Sequence, residues 1–466
     1  MRPRPPIPAG PYLVVGLARS GVAAAQTLRA RGEQVIGLDS GAPVAAESLR
    51  ADGVRIFLDE KDWIAPLDDV RAVVKSPGVP AQAPVLAAAY DRGLPVLGEL
   101  ELAWRLLGNE FVAVTGTNGK TTTVELIGHI HREAGLAVAV GGNVGTAVSS
   151  LVGALEPGAT VVCEASSFQL EDTLEFAPEA AVLLNVTPDH LDRHGTLEAY
   201  TAAKLEAFAR QGSDDVAVLP ADLERQLAWA VAGQASSEGA AGAGSRDGAI
   251  PGGARRVEFG WDASAALFEL DGELWWGGRA LIALAEMRMR GRHNVENAMA
   301  AAAVCLARGV EPRAVRAGLA SFTGVAHRLE EVAELDGVLY VNDSKATNVA
   351  STQVALEAFA GRPVHLILGG QGKGQDFTSL REPVADGCAG VYLIGEHAAT
   401  IAAALRNVTA PVLDCGDLEH ALAAASEAAS EGAVVLLSPA CASFDQFGDF
   451  EARGARFREL VEKMQA

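Results

Sequence analysis

Short apolar runs alternate with helical stretches through the first hundred residues. "YLVVG" (12–16) leads into "SGVAAAQTLRARG" (20–32) and then "QVIGLD" (34–39), and "RAVVKSPG" (71–78) and "PVLG" (95–98) repeat the scheme. Such alternation predicts parallel strands with helices packed on the sheet. "ELELAWRLLGN" (99–109) predicts a connecting helix. A second block opens at "FVAVTG" (111–116), carries strands "TVVCEAS" (160–166) and "AAVLLNV" (180–186), and runs to about residue 323. Inside it, the Gly/Ala/Ser-rich stretch 232–256 predicts a flexible surface loop rather than a domain boundary. The Ala-rich run 298–307 predicts a buried helix. A third block begins near 324, with strands "GVLYVND" (337–343), "VHLILGG" (364–370), "GVYLIG" (390–395) and "AVVLLSP" (433–439). The expectation is an α/β protein of three domains, 1–98, 99–323 and 324–466, with no internal repeat of solenoid length.

Length agrees: 466 residues suit about three domains at roughly 100–200 residues each. The formal net charge of −21 disfavours non-specific binding to nucleic acid or anionic membrane, so an anionic substrate must be met by a few local cations. Cysteines 163, 305, 388, 415 and 441 are scattered and lack a C-x-x-C spacing, which predicts reduced thiols in a cytoplasmic protein. The opening "MRPRPPIPAGP" has no apolar h-region of a signal peptide. No segment reaches the roughly 20 apolar residues of a membrane span.

The chemistry begins at "VTGTNGKTTT" (114–123), where a strand meets a glycine turn and a helix. Backbone N–H groups at such a turn form an anion site. Gly116, Thr117, Asn118 and Gly119 would form the cradle. Lys120 would add charge for outer phosphates, and the Thr121 hydroxyl, with Thr122 beside it, could meet magnesium. The spacing is not the full G-x-x-x-x-G-K-[ST], since Val114 stands at the first glycine position. An ordinary glycine turn with a solvent-facing lysine is the plain alternative.

Glu164, in "CEASSFQLE" (163–171), ends an apolar strand, where a carboxylate needs a partner: a metal ion, or a lysine or arginine. In "NVTPDHLDRHGTLEAYTAAK" (185–204), His190 and His194 could share a helical face as zinc ligands, or His190 could lie near magnesium or phosphate. By composition Lys204 is a surface lysine. Asn294 and Asn297 head the "GRHNVENAMAAAAVC" helix and could cap it or contact a nucleotide. His327 and Arg328 open the third block, and Arg328 suits either polyphosphate or a neighbouring glutamate. "VNDSKATN" (341–348), "LGGQGKGQDF" (368–377) and "LLSPACASFDQFGDF" (436–450) each follow a strand, the end of an open α/β sheet where ligands bind. In the first block, "VVGLARSG" (14–21) with Asp39 imitates a dinucleotide fingerprint, but Ala18 replaces its middle glycine. Another phosphorylated ligand can use the same geometry, with "KSPG" (75–78) nearby.

Taken together these motifs resemble the Mur ligases, ATP-dependent amide-forming ligases of peptidoglycan synthesis. "TGTNGKTT", "EASSFQLE", "TPDHLDRH", "NDSKATN" and "LSPACASFDQF" carry the resemblance over nearly the whole chain, and the last two are most similar to the branch that adds D-glutamate. The resemblance implies a Rossmann-like UDP-binding domain, a P-loop ATPase-like centre and a Rossmann-like C-terminal domain. It implies ATP, two magnesium ions, UDP-N-acetylmuramoyl-L-alanine and D-glutamate as ligands; the expected state is a monomer, with no nucleic-acid partner and no membrane insertion. Lys120 and Thr121 would hold phosphates and magnesium, Glu164 would bind magnesium, and His190 would lie at a second metal. Lys204 would be carbamylated, which turns an ammonium into a carboxylate at a cation site. Asn297, Arg328 and Asp343 would contact ATP, and closure of the second and third blocks would assemble the site. Asn143 and Ser166 would contact the UDP substrate, with Arg19, Ser20, Asp39 and Ser76 around UDP. Lys345, Thr347, Lys373, Ser443, Phe444 and Phe450 would receive the amino acid. Arg19 and Phe444 depart from the smaller or aliphatic residues common in the family. Sibling Mur ligases, folylpolyglutamate synthases, a non-catalytic ATP switch and an NAD enzyme are the competing readings.

Overall fold

The computed structural model describes residues 2–58, 65–226, 250–289, 291–372 and 374–465. Lys373 and most of the expected surface loop 232–256 lie outside the described residues. Of that loop's end, Ile250 is buried and Arg255 already begins a strand. The chain divides into two compact units, Met1–Met287 with Val295–Phe322, and Arg288–Asn294 with Thr323–Ala466.

The first unit holds two sheets. One contains β1 (Tyr12–Val15), β2 (Val35–Asp39), β3 (Arg55–Leu58), β4 (Ala72–Lys75) and β5 (Val96–Gly98), in the order β3-β2-β1-β4-β5, with every pairing parallel. Both faces are covered, which is why these strands read as continuous apolar runs rather than alternating ones. Tyr12 and Val14 enter one core with helix α1 (Arg19–Ala30). Leu13 and Val15, on the other face, enter a second core with Val85 and Leu86. A charge placed at Leu13, which has no exposed surface, would break that core.

The connecting helix is α2 (Glu99–Leu106), and it serves both sheets. Leu102 packs into the first sheet's core, while Leu100, Ala103 and Trp104 pack into that of the second sheet. Nine strands make this second sheet: β6 (Glu110–Thr115), β7 (Val138–Gly142), β8 (Thr160–Glu164), β9 (Ala180–Leu183), β10 (Val216–Pro220), β11 (Arg255–Gly260), β12 (Leu267–Leu270), β13 (Glu273–Trp276) and β14 (Arg279–Ala283). Their order is β14-β13-β12-β11-β10-β9-β6-β8-β7, parallel from β7 to β12 and antiparallel in the last two pairings. Asp271-Gly272 and Gly277-Gly278 turn these hairpins with positive φ at both residues of each pair. Helix α3 (Lys120–Glu133) follows β6, and α4 (Leu197–Leu205) precedes β10. The Ala-rich run lies in α5 (Arg292–Ala307), and Ala298 to Ala303 are buried as expected.

The second unit is built on β15 (Glu330–Leu335), β16 (Val338–Asn342), β17 (Val364–Gly369), β18 (Cys388–Ile394), β19 (Val412–Gly416) and β20 (Val434–Leu437). The order is β15-β16-β20-β17-β18-β19, and only β15 runs antiparallel. Leu436 faces one core and Leu437 the other. Helix α6 (Phe450–Gln465) packs Phe457 and Val461 into the latter. The ends of β16, β20 and β17 are therefore neighbours, so the three strand-end motifs read in the third block meet at one edge.

Candidate active site

Two backbone conformations shape the glycine turn after β6. Gly116 has φ 148° and Gly119 has φ 86°, regions that L side chains rarely adopt. A Cβ on Gly116 would stand 2.9 Å from the Leu184 Cβ, and one on Gly119 would collide with Asn297 Oδ1. Gly119 caps α3 without a side-chain hydrogen bond, so the N-terminus of the helix opens directly onto the glycine turn, the geometry of an anion site. The end of β9 braces the turn: Thr117 N donates to Asn185 O and Asn118 N to Asn185 Oδ1, at 3.0 and 2.9 Å. Lys120 folds back, donating to Gly116 O and Thr117 O at 2.8 Å each. Thr122 is buried at the first turn.

At the end of β8, Glu164 is 3% exposed. Its carboxylate accepts from Thr121 Oγ1 at 2.6 Å and from Asn143 Nδ2 at 3.0 Å. Both donors are neutral, so among the described residues the lysine or arginine partner expected from sequence is not the one found. Ser166 caps the short helix Ser167–Leu170 in a capping box with Gln169.

Lys204 corrects the composition-based expectation of a surface lysine. It is 1% exposed on α4, donates to Gly116 O at 2.9 Å, and holds Nζ 4.1 Å over the Tyr200 ring. Burial, reinforced by the charge of Lys120 and opposed by Asp189, lowers its pKa to about 6. At neutral pH it is chiefly a neutral amine. The sequence held no sign of this, because nothing in the spacing shows that α4 turns Lys204 inward beneath the glycine turn.

His190 adopts a left-handed backbone, φ 52°, and its ring lies 4.8 Å from that of Phe168. His194 instead stacks on Phe168 and bonds Ser167 Oγ at 3.0 Å. Among the described residues no group of three or more His, Cys, Asp or Glu side chains could hold a metal ion, so the paired-histidine zinc site is not formed. Asn297 and Asn294 both lie within α5 rather than at its cap, and Asn297 Oδ1 stands 3.4 Å from Thr123 Oγ1, beside the glycine turn.

The first sheet ends in a cavity of about 790 Å³ lined by Leu17, Arg19, Asp39, Val44, Gly145 and Ser150 among others. Asp39 accepts from Leu17 N at 2.6 Å and Gly41 N at 2.8 Å. Arg19 reaches Gly145 O, and Ser76 Oγ donates to Gly16 O. Ser20 lies in the first turn of α1.

In the second unit, Asp343 follows β16 and accepts from Ser438 Oγ at 2.8 Å and Leu329 N at 3.2 Å. Burial raises its pKa to about 7 against those bonds and the charge of Arg328. Arg328 sits between two residues of positive φ, His327 and Leu329. Lys345 Nζ stands 5.3 Å from the centre of the Phe450 ring, and Thr347 N bonds Lys345 O. Ser443 is buried and Phe444 is 66% exposed. Sequence reading passed over Arg453. This buried residue of α6 binds Ser344 Oγ, Ser344 O and Cys441 O at 2.9, 2.8 and 3.1 Å, joining the ends of β16 and β20.

Family models described as Mur ligase middle domain and as Mur ligase, glutamate ligase domain match residues 114–305 and 327–441. The UDP-N-acetylmuramoylalanine–D-glutamate ligase of Anaeromyxobacter dehalogenans is 44% identical, over 96% of this chain and 96% of its own. That of Koribacter versatilis is 41% identical, over 97% of each. Among solved structures, the UDP-N-acetylmuramate–alanine ligase MurC of Thermotoga maritima aligns at a TM-score of 0.59 and 20% identity, over 98% of this chain and 99% of the other. The MurF ligase of Thermotoga maritima in complex with ADP aligns at 0.56 and 18%, over 93% and 96%. These two share the fold. With family matches in both units and relatives above 40% identity across almost its entire length, this chain belongs to the Mur ligase family.

Proposed function

We propose that the chain is an ATP-dependent ligase that joins D-glutamate to UDP-N-acetylmuramoyl-L-alanine in peptidoglycan precursor synthesis, giving ADP and phosphate. The observation that carries the reading is one constellation. A phosphate-ready turn, Gly116–Thr121, stands against a buried carboxylate, Glu164, and a buried amine, Lys204. A nucleotide switch has no use for that amine. The choice of D-glutamate is supported by the names of the relatives.

ATP would lie with its phosphates over the N–H groups of α3, held by Lys120, with Asn297, Arg328 and Asp343 as further contacts. The carboxylate of the L-alanyl group attacks the γ-phosphorus, ADP leaves, and an acyl phosphate forms. The D-glutamate amine then attacks the carbonyl carbon, and the tetrahedral intermediate expels phosphate. Positioning and charge stabilisation carry such a reaction. The oxygens of Thr121 and Glu164, brought within 2.6 Å, fit magnesium, which takes one or two carboxylates and completes its shell with phosphate and water. Bound there, it would offset phosphate charge and align the γ-phosphoryl group. A second ion, beside His190, calls for another carboxylate. Lys204 would supply it as a carbamate: its neutral amine attacks carbon dioxide at carbon and releases a proton.

The cavity at the end of the first sheet would take UDP, through Arg19, Ser20, Asp39 and Ser76, with Asn143 and Ser166 toward the sugar. Lys345, Thr347, Ser443, Phe444, Phe450 and Lys373 would hold D-glutamate, whose two carboxylates suit lysines and hydroxyls. Domain bounds of 1–98, 99–323 and 324–466, a cytoplasmic location and a monomeric state complete the reading. Among the described residues no helix is long and apolar enough to cross a membrane.

The test is phosphate release from ATP and magnesium with UDP-N-acetylmuramoyl-L-alanine and a panel of amino acids including both glutamate enantiomers. Release that requires D-glutamate, with a product heavier by one glutamyl residue, supports the reading. Release with another amino acid moves the chain to a sibling activity, and turnover only with a folate acceptor overturns the UDP substrate.

A further inference from the structure

We propose that Arg193 is a positioning residue for His190, tying the segment that carries His190 to the loop after β4. The proposal rests on the reading of His190 as a residue at a metal. His190 needs such support. Its backbone is left-handed and its side chain is 48% exposed, so neither helix geometry nor burial holds the ring. Arg193 lies one helical turn on, and its N–H bonds the His190 carbonyl at 3.1 Å. Its guanidinium carbon stands 4.0 Å from the centre of the Phe168 ring, against which His190 also packs. Two further nitrogens reach Pro77 O at 2.8 Å and a Glu171 carboxylate oxygen.

Behind Glu171 lies a second pair. Lys75, fully buried at the end of β4, bonds Asp172 and stands 3.8 Å from Glu171. His194 Nδ1 is 3.7 Å from the other Glu171 oxygen. Two cations thus face two carboxylates, and the network asks for no external ion. A balanced, largely buried set of charges is a poor source of stability, because desolvation offsets the attraction. What it fixes is geometry. It joins the first sheet's strand end, beside Ser76, to the short helix Leu191–His194. Only a planar fork can serve a carboxylate and a carbonyl while stacking on a ring, so lysine is no substitute for Arg193.

The experiment measures Mn2+ binding by electron paramagnetic resonance on the full chain with a non-hydrolysable ATP analogue, with steady-state kinetics alongside. Arg193→Met should weaken Mn2+ binding and lower kcat by about 10–100-fold, the usual effect of removing the group that orients a metal-site residue. Metal-free binding of the ATP analogue should stay as in the parent. Arg193→Lys should fail to restore the metal affinity. Glu171→Gln should shift it in the same direction, which keeps the test open if Arg193→Met does not fold. His190→Ala should weaken Mn2+ binding, and adding Arg193→Met to it should cause no further loss. A further loss, or parental Mn2+ affinity in Arg193→Met, overturns the positioning role while leaving His190 at the metal. Parental affinity in His190→Ala overturns both.

Discussion

A buried lysine that is neutral in the folded protein leaves a signature in the pH dependence of stability. Lys204 has a folded pKa of about 6, against the 10.5 of a free lysine. Between these values the unfolded chain holds a proton that the folded chain lacks. Stability therefore rises with pH across that window, and the contribution is lost as pH falls through 6. The slope for one proton is about 1.4 kcal/mol per pH unit, so from pH 7 to 9 the gain is about 2.7 kcal/mol. Lys204→Met keeps most of the buried volume and removes the titration. The assay is urea unfolding of parent and variant at pH 7, 8 and 9 in buffer stripped of carbon dioxide, read as the difference in unfolding free energy. The parent should gain on the variant by about 2.7 kcal/mol across this range. Adding bicarbonate should stabilise the parent alone, since a carbamate forms only on the folded chain's neutral amine. Parallel curves for the two proteins would refute the reasoning, because they would mean that Lys204 is charged when folded.

Three other outcomes follow from the geometry. Gly119→Ala places a side chain at φ 86° and against Asn297, and should weaken fluorescent-nucleotide binding by at least the 1–2 kcal/mol or so of a left-handed residue. Asp343 has a folded pKa of about 7, above the 3.8 of a free aspartate, so its contribution is greatest below pH 4 and is lost as pH rises to 7. Compared with Asp343→Asn, the parent should lose up to about 1.4 kcal/mol per pH unit over that window in urea unfolding. Lys345→Met should raise KM for D-glutamate by about 10–100-fold, the loss of one charge-assisted hydrogen bond, with KM for ATP unchanged in steady-state assays.

Parallel strands buried on both faces betray themselves as apolar runs, and every run read as a strand, from "YLVVG" to "AVVLLSP", is one. Their order also placed the glycine turn, Glu164 and the three third-block motifs at strand ends, where the structure has them. The turns of hairpins β12–β13, β13–β14 and β15–β16 stand in the sequence as Asp271-Gly272, Gly277-Gly278 and Asp336-Gly337, but strands β12 to β15 are only partly buried and carry no continuous apolar run to mark them. Burial of lone polar side chains was not legible. Lys204, Lys75 and Arg453 are each 1% exposed or less, a fact decided by tertiary packing and not by neighbours in sequence. The partners of Glu164, Thr121 and Asn143, come from α3 and the turn after β7, and only the fold brings them together.

The central claim is that ATP activates the substrate's carboxylate. UDP-N-acetylmuramoyl-L-alanine labelled with 18O in both oxygens of the alanyl carboxylate tests it directly, with mass analysis of the phosphate released on adding D-glutamate. One 18O atom should pass to phosphate in each turnover, and the other should remain in the new amide. Phosphate free of 18O, at a rate matching product formation, would contradict the account.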